Sequence, residues 1–107
     1  MGNSEHDIMQ CIRKAAPLYH CVLLRNNVGH TTSSAGHHIV YGLCVGSSDL
    51  IGWTIKNGVA IFTAIEVKSR LGRVTKDQLQ FIAAVQKAGG LAGVARSVED
   101  FIKIICS

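Results

Sequence analysis

The chain is poor in several features, and each shortage closes a class of function. No stretch approaches the ~20 apolar residues of a bilayer helix; the most apolar run, Val59–Ile65, is far too short. The first ten residues, MGNSEHDIMQ, carry acids early and no apolar core of the secretory type, so export is not expected. Gly2 meets one requirement for myristoylation, but the small hydroxyl residue that signal also needs is replaced by His6 and its neighbour Asp7. There is no CxxC pair. Cys11, Cys21, Cys44 and Cys106 are scattered without the close Cys/His spacing of a zinc site, and they read as reduced, mostly structural thiols in a cytoplasmic protein. Aromatics make up only 6% of the residues and none interleaves with the basic run described below, which argues against recognition of single strands by base stacking. No internal repeat is evident.

What is present is enough for one small packed domain spanning residues 1–107. The 107 residues are 48% apolar and 17% charged, which suits a core and excludes global disorder. Eleven Lys/Arg against seven Asp/Glu leave a net charge of +4, and in so short a chain this favours an anionic partner.

Hydrophobic spacing predicts the elements. Ser4 with Asp7 reads as a helix start, Ile8, Cys11, Ile12, Ala15 and Ala16 recur at helical spacing, and Pro17 marks the stop. Glu5 precedes Ile8 and Ile12 on one helix face, so its carboxylate is expected on the packing side. His20–Arg25 is a strand candidate. Asn26–His38, rich in Gly, Ser, Thr, Asn and His and free of acids, reads as a mobile loop, which accounts for His30, His37 and His38 better than contact with phosphate or substrate does; Ile39–Tyr41 forms a brief strand before the turn Gly42–Ser48. Asp49–Ile55 and Val59–Lys68 flank Asn57-Gly58, the pair that a type I′ hairpin turn favours. The second of these strands is apolar on both faces, as in a sheet covered on both sides, and Trp53 is expected to point inward or onto a dimer surface. Thr75 caps a helix whose first turn holds Gln78 and whose apolar side holds Leu79, Ile82, Ala83 and Val85, and Gly89-Gly90 ends it. Leu91–Ala95 is a further strand, and Ser97 with Asp100 opens a last helix. The order α, β, β-hairpin, α, β, α implies an α/β domain with a mixed sheet.

The hairpin carries the chemistry. With Asn57-Gly58 as the central turn residues, paired positions sum to 115, so Asp49 faces Glu66 across the ladder. Directly opposed Cβ atoms lie ~4.5–5.5 Å apart. Two carboxylates at about 5 Å repel by roughly 3 kcal/mol at an effective dielectric near 20. Folding requires no such pair in an apolar sheet, and a divalent cation would reverse the sign of the interaction. Lys68 projects from the same face as Glu66, which completes the parts for metal-assisted phosphodiester hydrolysis. The plainer alternative is that Asp49 is a turn residue and Glu66/Lys68 an exposed strand pair. Lys68, Arg70, Arg73 and Lys76 put four of eleven cations within nine residues. They form either a solvated loop or a rim for phosphates, with Arg70, Arg73 and Lys76 as the DNA-contacting candidates.

Gly46-Ser47-Ser48-Asp49, Glu66-Val67-Lys68, Gly72-Arg73, Thr75 with Gln78, Gly89-Gly90 and Gly93-Val94-Ala95-Arg96-Ser97 together resemble the VRR-NUC family of the PD-(D/E)XK nuclease superfamily. The resemblance implies an αβββαβ restriction-endonuclease-like core, a mixed central sheet flanked by helices. It implies that Asp49, Glu66, the Val67 carbonyl and Glu5 hold Mg²⁺, with Mn²⁺ able to substitute. Lys68 then matches the catalytic lysine and Gln78 the supporting glutamine. Ser48 replaces the superfamily's proline before the aspartate. The short chain is similar to stand-alone phage and bacterial members, which implies a homodimeric endonuclease for branched, Holliday-junction-like DNA in the cytoplasm of a bacterium or phage-infected cell. A non-catalytic nucleic-acid-binding module and a nicking or restriction-type nuclease are the alternatives.

Overall fold

The computed structural model describes residues 4–107, and Gly2 lies outside them. Helix α1 (Glu5–Ala15) starts on the Ser4 hydroxyl, which accepts the Asp7 N–H, and passes into a 3-10 turn at Ala16–Tyr19 that carries Pro17. Strand β1 (Cys21–Arg25) follows, then β2 (Gly29–Thr32) and β3 (His38–Tyr41), β4 (Leu50–Lys56) and β5 (Val59–Val67). Helix α2 (Lys76–Lys87), β6 (Leu91–Ala95) and α3 (Val98–Ile105) complete the fold. Strands β1, β4, β5 and β6 form one mixed sheet in that order: β1–β4–β5 run antiparallel, and β6 joins β5 in parallel through the α2 crossover. With β2 and β3 set aside, the order is the expected αβββαβ core plus a final helix.

Each face of the sheet follows from side-chain alternation. Leu50, Ile65 and Val67 point to one side and bury against Ile8 and Ile12 of α1 and Phe101 and Ile105 of α3. On the other side Ala64 and Ala92 pack under Ile82 and Val85 of α2. The β4–β5 ladder runs from Lys56↔Val59 to Leu50↔Ile65, every pair summing to 115, with Asn57 and Gly58 both at positive φ in the turn.

Five expectations need correction. Residues 26–38 are not a featureless loop: Gly29–Thr32 pairs with His38–Tyr41 as a separate two-stranded ribbon. The sheet is covered on both sides only along 63–67 of β5 and along β6, because α2 lies over β5 and β6 and reaches no further across β4 than Ile51, leaving the rest of that face of β1 and β4 bare. Trp53 is on that bare face at 40% exposure, beside Val22 and Phe62, and Leu50, Gly52 and Thr54 are the buried set of β4. Leu79 of α2 is exposed too, as are Cys11, Cys44 and Cys106, so only Cys21 of the four free thiols is a core residue.

Gly52 fixes how closely β1 approaches β4, since an added Cβ there would fall onto the Val22 carbonyl oxygen. Neither strand can yield without breaking the ladder. Gly52→Ala is expected to cost about 3 kcal/mol, read as a lower denaturation midpoint with an unchanged slope.

Candidate metal centre

The centre sits where β4 begins and β5 ends, on the α2 side of the sheet. Asp49 immediately precedes β4, and the ladder register carries it opposite Glu66. Its Oδ2 accepts the Val67 N–H at 2.9 Å, which ties the carboxylate to the β5 backbone. The Val67 side chain is fully buried in the core, so only its peptide unit faces Asp49.

Glu66 is the unusual residue. It is 2% exposed, and its Oε1 has no hydrogen-bond partner. Its Oε2 accepts from Gln78 Nε2 at 3.2 Å and lies 3.6 Å from Lys68 Nζ. Burial first, and then the neighbouring Asp49 carboxyl, push its pKa up from 4.5 to about 8 against the opposing pull of Lys68. A buried carboxylate oxygen left without a donor, next to a second carboxylate, is a poor arrangement for an apolar core and a good one for a hard cation.

Gln78 is held by a reciprocal helix cap. Thr75 Oγ1 accepts the Gln78 N–H at 3.2 Å, and Gln78 Oε1 accepts the Thr75 N–H at 2.9 Å. The capping fixes the amide so that its NH₂ reaches Glu66. Glutamate would cap as well as glutamine but has no donor to offer Glu66. Gln78→Glu is therefore expected to leave helix content unchanged and to weaken cleavage about 10–100-fold. Circular dichroism beside a cleavage assay checks both halves.

The remaining candidates fall out unevenly. Arg70 and Arg73 are exposed on the segment between β5 and α2, and Lys76 is exposed as the first residue of α2. Glu5 is exposed and is not gathered in: no group of three or more His, Cys, Asp or Glu side chains converges among the described residues. The reason is positional. The first turn of α1 is exposed through Asp7, and Ile8 is the first residue of α1 to be buried. One turn beyond Glu5, Met9 does reach a polar cleft of about 260 Å³ shared with Arg25, Asn26, Ser47, Asp49 and Gln78.

Two residues that sequence reasoning missed hold this geometry in place. Asn26 donates to Ser47 Oγ at 2.7 Å and to the Ser48 carbonyl at 2.8 Å, accepts the Leu43 N–H at 3.0 Å, and its own N–H meets the Asp49 carbonyl at 2.7 Å. It thereby stitches the turn before Asp49 to the end of β1. Arg96 donates through one nitrogen to the carbonyls of Ser69, Arg70 and Gly72, at 2.7, 3.3 and 2.8 Å, and so clamps the basic segment. Neither stands out locally: Asn26 looks like a loop residue, and Arg96 looks like a surface cation before a helix cap.

A mixed sheet with an acid pair and a lysine at one end of its central strands has the architecture of a nuclease-type α/β domain. The particular family follows from comparison: the VRR-NUC domain model matches residues 2–99, and the chain belongs to the VRR-NUC family. No curated protein and no solved structure matches it. Family membership indicates a nuclease-type function with DNA as substrate. Among the described residues no helix is long and apolar enough to cross a membrane.

Proposed function

We propose that the chain is a Mg²⁺-dependent DNA endonuclease, with Mn²⁺ able to substitute, that hydrolyses phosphodiester bonds in branched DNA during replication, repair or recombination. The observation that carries this reading is the Glu66 carboxylate, buried beside Asp49 with one oxygen lacking any donor. Asp49, Glu66 and the Val67 carbonyl are the groups that would hold the ion, with Glu5 reaching it at most through water. When bound, the ion supplies charge for the phosphoryl oxygens and lowers the pKa of water.

The protein's own groups supply the rest. Lys68 brings an ammonium to the open end of β5, where it orients the attacking water and offsets negative charge developing on phosphorus. Gln78 holds Glu66 through one oxygen, which would leave the other for the ion. Arg70 and Arg73, on a loop that Arg96 keeps in one shape, and Lys76 at the start of α2 meet the flanking phosphates.

A homodimer fits the bare face of β1 and β4. Val22, Leu24, Trp53, Ile55 and Phe62, each between 38% and 59% exposed, form an uncharged apolar patch there. Two-fold pairing over it would give one centre per strand for a substrate with two strands to cut. The test is cleavage of four-way junction, fork and linear duplex with Mg²⁺, with Mn²⁺ and without metal, beside sedimentation for mass. Metal-dependent cutting with preference for the junction is expected. An uncut panel would leave a DNA-binding module, and equal cutting of linear duplex a nuclease of another target.

A further inference from the structure

Strands β2 and β3 belong to no part of the core. They pair only with each other, and every side chain they carry is exposed. The radius of gyration, 14.5 Å, exceeds the about 13 Å of a compact chain this long, as a projecting element requires. The ribbon is locally well made: the Tyr41 ring covers Gly29, where an added Cβ would meet the hydroxyl, and the His30 and His38 rings lie 5.0 Å apart. At the tip, Ser33 accepts the Gly36 and His37 N–H groups and donates its own to the His37 carbonyl. At the root, Gly42 at φ +86° lets one leg touch the other at Asn27 and Val28. Those two residues also line the polar cleft that contains Asp49 and Gln78. The arm thus leaves the molecule at the mouth of the candidate centre.

Its chemistry is distinctive. From Asn26 to Ser48 there is no Lys, Arg, Asp or Glu, and no acid occurs anywhere between Asp7 and Asp49. Such a ribbon does not repel a polyanion, and it does not attract one by charge either. It offers imidazole and hydroxyl groups on His30, Thr31, Thr32 and His38, and apolar side chains on Ile39 and Val40. A two-stranded ribbon is one of the few protein elements the DNA major groove admits, and groups of this kind read base edges there. From Asn27 at the root to Ser33 at the tip, six residue steps at ~3.3 Å each reach roughly 20 Å.

We infer that residues 29–41 form an arm that lies in the major groove of the duplex flanking the cut. The arm binds through hydrogen bonds and apolar contacts, and the phosphate attraction comes from the basic segment at Arg70 and Arg73. This rests on the nuclease reading, and the two part company in one experiment. Anisotropy of a labelled duplex is measured in Ca²⁺ at pH 8 over a series of NaCl concentrations. The full chain is compared with a variant whose residues 30–40 are replaced by a Gly-Ser turn, and with the triple substitution His30→Ala, His38→Ala and Ile39→Ala, which leaves the backbone intact.

The armless variant is expected to bind about tenfold more weakly and the triple variant at least about threefold more weakly, both with the wild-type slope of log K against log salt. Arg70→Ala with Arg73→Ala should instead flatten that slope. Equal affinity of the triple variant and the full chain overturns the arm while leaving the nuclease intact. So does a changed slope, or a loss of oligomer mass in either arm variant, which would make the arm a protein contact. Failure of the full chain to bind DNA at all overturns both readings.

Discussion

Asp49→Asn is expected to lower metal-dependent cleavage at least about 10³-fold and, in the same protein, to raise the stability of the metal-free fold at pH 8. The two effects have opposite signs because they come from one cause. Asparagine keeps an oxygen for the Val67 N–H, so the 2.9 Å tie to β5 is retained. What disappears is the negative charge that Glu66 faces. Glu66 has its pKa raised from 4.5 to about 8, first by burial and then by Asp49. The native metal-free chain therefore holds a proton that the unfolded chain releases. Stability from this source is complete below pH 4.5, declines as pH rises, and is lost once pH passes about 8. The decline can approach about 1.4 kcal/mol per pH unit while the two states differ by one proton. Without the Asp49 charge the decline should end at a lower pH, and at pH 8 the variant should melt above the wild type. Urea titrations across pH in a chelator check the stability half, and junction cleavage checks the other. A variant less stable than the wild type at pH 8 would mean that Asp49 is a structural tie and not a repelling partner.

Lys68→Ala carries the second large effect. Its ammonium is 3.6 Å from Glu66 Oε2 and only 13% exposed, beside the basic segment. Removing it should reduce cleavage about 10²–10³-fold, the usual cost of one preorganised electrostatic group. The fold should be retained, because no other described salt bridge involves Lys68. Manganese uptake should also survive, because the ion itself supplies the positive charge that Glu66 loses with the lysine. Full cleavage in this variant would remove Lys68 from the chemistry and leave it as a counter-ion to Glu66.

The central part of the molecule was legible because its signals are local. Asn57-Gly58 fixes a two-residue turn, the turn fixes the register, and the register alone puts Asp49 against Glu66. Thr75 and Gln78 likewise announce their cap by spacing. What escaped is tertiary. The outward face of Trp53 depends on how far α2 reaches across the sheet, and alternation in β4 is the same whichever face is covered. The ribbon at 29–41 was hidden because His, Thr, Ser and Gly favour loops, and its pairing is set by Tyr41 over Gly29 and the turn at Ser33. Asn26 and Arg96 act on backbone groups 17 to 27 positions away, which no local spacing reveals. Glu5 shares a helix face with Ile8, but its turn is exposed to solvent.

Calorimetric titration of Mn²⁺ into the chelator-treated full chain bears most directly on the site at the end of β5. Saturable uptake is expected in the wild type, abolished in both Asp49→Asn and Glu66→Gln and unaffected by Arg70→Ala. Absence of saturable heat in the wild type, or undiminished uptake by either acid variant, would contradict a divalent ion at Asp49 and Glu66.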